Sequence, residues 1–526
     1  MTGRRPSFVP GSGTTRPGRD RLARLLPAPP GADRADGAGA PRAAVVGGGI
    51  AGLASATALA ERGVEVTLYE RDAQLGGRLA GWPTRLADGT TVTMSRGFHA
   101  FFRQYYNLRA LLRRTDPALS RLTGLPDYPL RHGSGRRDSF RHVPRTPPLS
   151  ALGFVALSPS FRVRDLARMH PRAALPLLDV RVPEVYRRLD HVSAHDFLEA
   201  IGFPPAARHL AFEVFSRSFF ADPRQLSAAE MALMFHVYFL GSAEGLLFDV
   251  PGEPFPQALW DPLAGRLRRL GAHVRTGTAV EGVRVLSSGG FRVTAAGAEE
   301  PYDAVVLALD PAGLRALVAR SDGLGDDEWR ERVARLRTAP SFLVSRLWLD
   351  APVRADRPGF LGTGGHGALD NVSVLSGWEG EAARWAARTG GSVVELHAYA
   401  LPEDTDRATT QKALLAELHR LYPETARARV VDARHEWRAD CPLFAVGGHA
   451  DRPTVGTTVP GLVVAGDSVR TGLPVALMER AATSGFLAAN ELLGRWGLRG
   501  HDLWTVPGRG RSGALRWVAG RAGAGR

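Results

Sequence analysis

Short apolar runs, each closed by a glycine turn or a carboxylate, alternate with helical stretches in the first hundred residues. Ala44-Val45-Val46 is continuously apolar, as in a strand covered on both faces, and Val64-Glu65-Val66-Thr67-Leu68-Tyr69 alternates with period two. Between them Gly47-Gly48-Gly49-Ile50-Ala51-Gly52 opens a helix of small residues. Gly-x-Gly-x-x-Gly between a strand and a helix marks a dinucleotide-binding turn. Gly47 permits the tight turn, Gly49 lets the backbone approach a pyrophosphate, and Gly52 lets helix and strand pack closely. At Ile50 and Ala51 the helix begins, and its unpaired N–H groups and positive dipole end favour phosphate. Glu70 ends the second strand about twenty residues past the turn, where an acid accepts both hydrogen bonds of a ribose diol.

The same periodicities recur far along the chain. Leu259–Leu270 reads as a helix and Ala272–Arg275 as a strand that Val280–Val283 continues, while Asp303–Ala308 reads as a buried strand. Gly461–Asp467 reads as a short strand ending in Gly466-Asp467, followed by a helix from about Pro474 to Ala489. The dinucleotide domain is therefore expected in three pieces, 42–90, 255–310 and 455–495. The insertions 91–254 and 311–454 form the substrate domain. The first is apolar and helical, as in Met231–Phe235 and Ala211–Phe215. The second shows strand alternation at Phe342–Leu349 and Ser392–Tyr399.

Charge changes the picture less than its total suggests. The net charge is +14, but residues 1–41 carry +4 and residues 495–526 carry +6, leaving +4 on the body. No zinc-finger spacing, aromatic RNA-binding motif or basic recognition helix is present, so nucleic acid is not expected as a partner. Lys412 is the sole lysine, and Cys441 the sole cysteine, which excludes an intrachain disulfide and a cysteine-based metal site. No apolar run approaches bilayer-spanning length. A cytoplasmic protein peripheral to the membrane is the expectation. Residues 1–41, rich in Pro, Gly, Ala and Arg, read as disordered. Residues 496–526 read as a basic tail, in which Arg511, Leu515, Arg516, Trp517, Val518 and Arg521 suit either an anionic membrane surface or a disordered segment.

Arg71-Asp72-Ala73-Gln74-Leu75-Gly76-Gly77-Arg78 resembles the extension of the amine oxidase and desaturase flavoproteins. The resemblance implies FAD as cofactor, with Arg71, Gly77 and Arg78 among its contacts. It puts Asp467 and Gly466 beside the ribityl chain and pyrophosphate, and Met478 near the flavin pyrimidine. Arg78 is expected either to pair with the pyrophosphate or to cap a helix. Val280 is expected either to touch adenine or to fill the core. The fold class implied is α/β, an FAD-binding Rossmann-like domain of amine oxidase and phytoene desaturase type interleaved with a mixed-sheet plus helical substrate domain.

Ser95-Arg96-Gly97-Phe98-His99-Ala100-Phe101-Phe102-Arg103-Gln104-Tyr105-Tyr106-Asn107-Leu108 resembles a signature of carotenoid desaturases. His236–Gly241, Glu244–Leu246, Phe248-Asp249, Asp370–Ser373 and Val394–Ala400 add to the likeness. Over residues 42–495 the chain most resembles the β-carotene desaturase/methyltransferase branch, also called isorenieratene synthase or carotenoid φ-ring synthase.

That resemblance implies two oxidations per β-ring, with hydride leaving ring carbon 4 and later carbon 2, and a methyl migrating from carbon 1 to carbon 2. The methyl donor is then the substrate itself, and no second glycine-rich turn offers an S-adenosylmethionine site. β-Carotene is the expected substrate, a membrane surface its source, and quinone or oxygen the electron acceptor. His99 is the candidate catalytic residue, as proton acceptor, or else a histidine that bonds backbone and positions its loop. Asp249, Asp370 and His397 fit the pattern without an assigned role. A linear desaturase, a flavin-dependent carotene isomerase and a carotenoid-binding flavoprotein scaffold are the alternatives.

Overall fold

In the computed structural model, which describes residues 17–35, 37–162, 164, 167–211 and 219–523, five parallel strands form the dinucleotide sheet. They are β1 (Arg42–Val46), β2 (Glu65–Tyr69), β3 (His273–Arg275), β4 (Ala304–Leu307) and β5 (Leu462–Val464), in the spatial order β3-β2-β1-β4-β5. That order, unwinding in both directions from β1, places the turn after β1 at the carboxyl edge, where such sheets bind ligands.

Helix α1 (Ile50–Glu61) is buried along almost its whole length because its side chains are small. It packs on the long C-terminal helix Leu477–Arg495 at a close crossing, where a Cβ at Gly485 would lie 2.3 Å from the Ala51 carbonyl oxygen. Ser55 Oγ donates across the crossing to Gly485 O at 2.9 Å. The C-terminal helix begins at Leu477, three residues after Pro474, because the intervening loop turns in and Leu477 itself takes φ +52°. Val280–Val285 does not continue β3. It pairs antiparallel with Phe291–Ala295 in a separate three-stranded sheet, since Gly277 (φ +65°) turns the chain away.

The second sheet has seven strands, in the order Val430–Arg438, Ser341–Leu349, Ser392–Leu401, Asn371–Val374, Phe360–Gly364, Leu130–His132, Arg137–Asp138. Both insertions therefore build it. Its central strands alternate: Leu343, Leu347, Val394, Leu396 and Ala398 pack with Leu414 and Leu418 of helix Arg407–Leu421. The residues between them point to the other face, and there Arg346 stands opposite Glu395.

The ends depart from the expectation of disorder. Arg24–Leu26 pairs antiparallel with Leu503–Thr505, and Asp20, almost fully buried, receives both terminal nitrogens of Arg511. Asn107 exchanges hydrogen bonds with the backbone of Trp504, and Gly513–Gly523 is helical. Composition misled here because each end satisfies its backbone groups through the other, a pairing of chain termini that local sequence does not encode. Residues 1–16, Phe212–Phe215 and the Arg521 side chain lie outside the described residues. Among the described residues no helix is long and apolar enough to cross a membrane.

A cofactor cleft continuous with an aromatic chamber

The turn after β1 meets a second glycine turn. Gly76 N–H donates to Gly48 O at 2.9 Å, and Gly76 and Gly77 both take positive φ, +108° and +57°. The fingerprint glycines differ in what surrounds them. A Cβ at Gly47 would lie 2.3 Å from Ala308 O, and one at Gly52 only 1.8 Å from Gly47 O. A Cβ at Gly49 would meet nothing nearer than Gly77 Cα at 3.9 Å, so that position opens onto space. Helix α1 carries no side-chain cap, which leaves its first N–H groups directed at that space. Glu70, at the end of β2, accepts from Gly48 N–H at 2.7 Å and Asp72 N–H at 2.9 Å. Burial pushes its carboxyl above the usual value, partly offset by those two bonds.

The two ends of the chain's dinucleotide signature converge here. Arg78 forms a 2.7 Å ion pair with Asp467, which ties the loop after β2 to the loop after β5. Arg78 thus faces a carboxylate in this structure, where the sequence suggested a phosphate or a helix end. Gly47, Gly49, Ile50, Ala51, Glu70, Arg71, Gly77, Arg78, Val280, Gly466, Asp467, Met478 and His99 all line one cavity of about 480 Å³. Gly52 does not; it lies behind, at the contact of helix and turn.

Beyond Met478 the same cavity runs into a chamber walled by Phe98, Tyr128, Phe140, Phe239, Phe248 and Phe360. Phe98 stacks on Phe360 at 4.3 Å and Tyr128 leans on Phe360 at 4.8 Å. These aromatic residues come from six places between residues 98 and 360; Phe98, Phe239 and Phe248 lie in stretches that carry the carotenoid-desaturase likeness, whereas nothing in the sequence singled out Tyr128, Phe140 and Phe360. His99 lines the same cavity and packs edge-on against Phe255 at 5.8 Å. Its Nδ1 lies 2.9 Å from Gly97 O, which only accepts, so Nδ1 carries the proton and Nε2 the lone pair. Burial pushes the imidazole down to about 4.

The unassigned residues find partners. Asp249 pairs with Arg103 at 3.0 Å and Arg109 at 2.7 Å, fixing the Phe101–Phe102 strand beside it. Asp370 accepts from Tyr399 N–H at 2.6 Å. His397 lies in a buried hydrogen-bonded chain with Glu395 and Tyr399. Glu479, in the first turn of the C-terminal helix, accepts both Asn107 N–H and Leu108 N–H at 2.9 Å and so caps helix Tyr106–Arg113. Burial raises its carboxyl to about 8.

The flavin containing amine oxidoreductase family matches residues 50–493. The chain belongs to that family. It is an FAD-dependent oxidoreductase, and the open position at Gly49, the uncapped α1, the Glu70 carboxylate and the Arg78 cation fit that cofactor. Carotenoid phi-ring synthase of Streptomyces griseus is 70% identical, over 96% of this chain and 97% of that protein. Carotenoid phi-ring synthase of Chlorobaculum tepidum is 30% identical, over 89% and 91%. A solved putrescine oxidase bound to putrescine shares the fold, with a TM-score of 0.64 at 18% identity over 86% of this chain and 99% of that one.

Proposed function

We propose that the protein converts the β-rings of a carotene, β-carotene foremost, to aromatic φ-rings, with migration of a methyl from ring carbon 1 to carbon 2. The observation that carries this reading is the single cavity joining the glycine turns to an aromatic chamber, in a chain 70% identical to a carotenoid phi-ring synthase. Bound FAD supplies a two-electron hydride acceptor. Gly47, Gly49, Ile50, Ala51 and Gly77 would cradle its pyrophosphate with Arg78 and Asp467 flanking it, and Glu70 and Arg71 would hold the ribose end. Val280 would border the adenine, and Gly466 and Met478 the flavin.

The remaining work belongs to the chamber. Its walls exclude water and hold the ring C–H in one orientation. Loss of hydride leaves positive charge on the polyene, and the faces of Phe98, Phe248 and Phe360 stabilise such a cation. His99 positions its own loop through its bond to Gly97 O.

Carotenes dissolve in bilayers, and helix Leu149–Leu157 offers a contact: Leu149, Leu152 and Leu157 are 56%, 60% and 58% exposed. On its inner side Phe154 stacks on Phe140 of the chamber wall at 4.7 Å. Exposed Arg141, Arg145 and Arg162 flank the helix and suit anionic headgroups. Quinone or oxygen then takes the electrons.

The reading is tested with β-carotene labelled at its geminal methyls and no added methyl donor. An aromatic product keeping all its label is expected. Label arriving from methyl-labelled S-adenosylmethionine refutes the migration, and a non-aromatic product favours a linear desaturase or an isomerase.

A further inference from the structure

Strand Ser392–Leu401 carries a motif that the reading above leaves unused. Glu395, His397 and Tyr399 are alternate residues, so one face of the strand presents all three, and they point away from the apolar layer formed by Val394, Leu396 and Ala398. Tyr399 OH lies 2.7 Å from His397 Nδ1, and His397 Nε2 lies 2.8 Å from Glu395 Oε1. A carboxylate only accepts, so Nε2 carries the ring proton, and Nδ1 is left to accept from the phenol. Asn371 Nδ2 donates to the phenol oxygen at 3.0 Å and keeps it turned toward His397. Tyr399 and His397 both line the cavity, His397 with only 1% of its side chain exposed, and Glu395 is wholly buried next to His397.

We propose that Tyr399 accepts the ring proton lost after hydride departure and passes its own hydroxyl proton to His397, whose imidazolium Glu395 stabilises. The proposal rests on the ring-aromatisation reading. The ring C–H bond breaks, its electron pair becomes the new C=C bond, the proton joins the phenol oxygen, and the phenol's former proton joins Nδ1. This step consumes no oxidant. Tyr399 is the catalytic residue; His397 and Glu395 act through it.

Two observations favour this chain over His99. Behind His99 stands a carbonyl, Gly97 O, whereas behind His397 stands an anion. Burial raises the Glu395 carboxyl, yet Arg346 and His397 together bring it down to about 2, so it stays ionised. The Gly97 loop closes over the chain: a Cβ at Gly97 would lie 2.4 Å from His397 Cε1, and Phe98 N–H donates to Glu395 Oε1 at 2.8 Å.

The test uses FAD-loaded protein turning over β-carotene with a quinone as added electron acceptor, because each ring gives up two hydrides and one flavin takes only one; flavin absorbance, chromatography of products and the solvent deuterium isotope effect are the readouts. Tyr399→Phe removes the acceptor. His397→Gln keeps a hydrogen-bond donor and acceptor but cannot take a proton. Both variants are expected to keep FAD and lose aromatic-product formation by about 10²-fold, with the wild-type isotope effect abolished in Tyr399→Phe. Wild-type rates in His397→Gln, as a purely structural histidine would allow, overturn the relay. A wild-type solvent isotope effect of one overturns it without any variant. If wild-type enzyme makes no aromatic product, the ring reading itself falls and the relay falls with it.

Discussion

Glu230→Gln removes one charge from a point where three buried charges meet. Glu230, on helix Ala228–Phe235, pairs through Oε1 with Arg452 and through Oε2 with Arg480 at 2.8 Å; Tyr186 OH donates to Oε1 at 3.0 Å. All three charged side chains are at most 6% exposed. Arg480 also donates to Asp467 O at 3.2 Å and Val475 O at 2.9 Å, so the cluster ties the inserted helices to a loop of the cofactor cleft.

Burial raises the Glu230 carboxyl, but the two guanidinium groups outweigh it and lower the pKa from 4.5 to about 2. By linkage that drop is worth about 3 kcal/mol at neutral pH. Leaving a buried charge without its partner costs about 3–5 kcal/mol, which agrees. The folded pKa is depressed, so this stability is fully present above about pH 4.5 and is lost as pH falls toward 2. Urea unfolding of the FAD-loaded protein at fixed free FAD is expected to place Glu230→Gln about 3 kcal/mol below wild type at pH 7, with the gap closing as pH drops below 4.5. Equal midpoints at pH 7, or a gap that widens on acidification, refute the reasoning.

Gly49→Val is expected to purify without flavin absorbance yet to melt like wild-type apoprotein, because its Cβ meets only Gly77 Cα at 3.9 Å and fills the space a pyrophosphate needs; Glu70→Ala should also lose FAD, and full occupancy in either variant counts against the cleft. The paired change Leu149→Ser with Leu152→Ser should reduce flotation with anionic liposomes and leave FAD content unchanged; unaltered flotation would assign membrane contact elsewhere.

The strand, turn and helix of the cofactor cleft were legible because their pattern is local. A strand, a turn, a helix start and a carboxylate lie within 30 residues, so spacing alone displays the tight turn at Gly47 and the close packing at Gly52. The strands at Ser341–Leu349 and Ser392–Leu401 were legible for the same reason, through their alternation. The start of the C-terminal helix was placed too early, because Pro474 is a good first-turn residue wherever a helix begins and only the loop geometry decides.

Tertiary structure decided the rest. The aromatic chamber joins Phe98, Tyr128, Phe140, Phe239, Phe248 and Phe360 across sequence separations that no periodicity spans, and any one of them taken alone is an ordinary core residue. The ion pair of Arg78 with Asp467 and the cluster at Glu230 are likewise products of chain crossing. Period two puts Glu395, His397 and Tyr399 on one face. Only the fold says that this face looks into the chamber, and that Arg346, from the neighbouring strand, keeps Glu395 charged. Local chemistry is written along the chain, whereas burial, which sets what a charge costs and what a proton can reach, is a property of the assembled molecule.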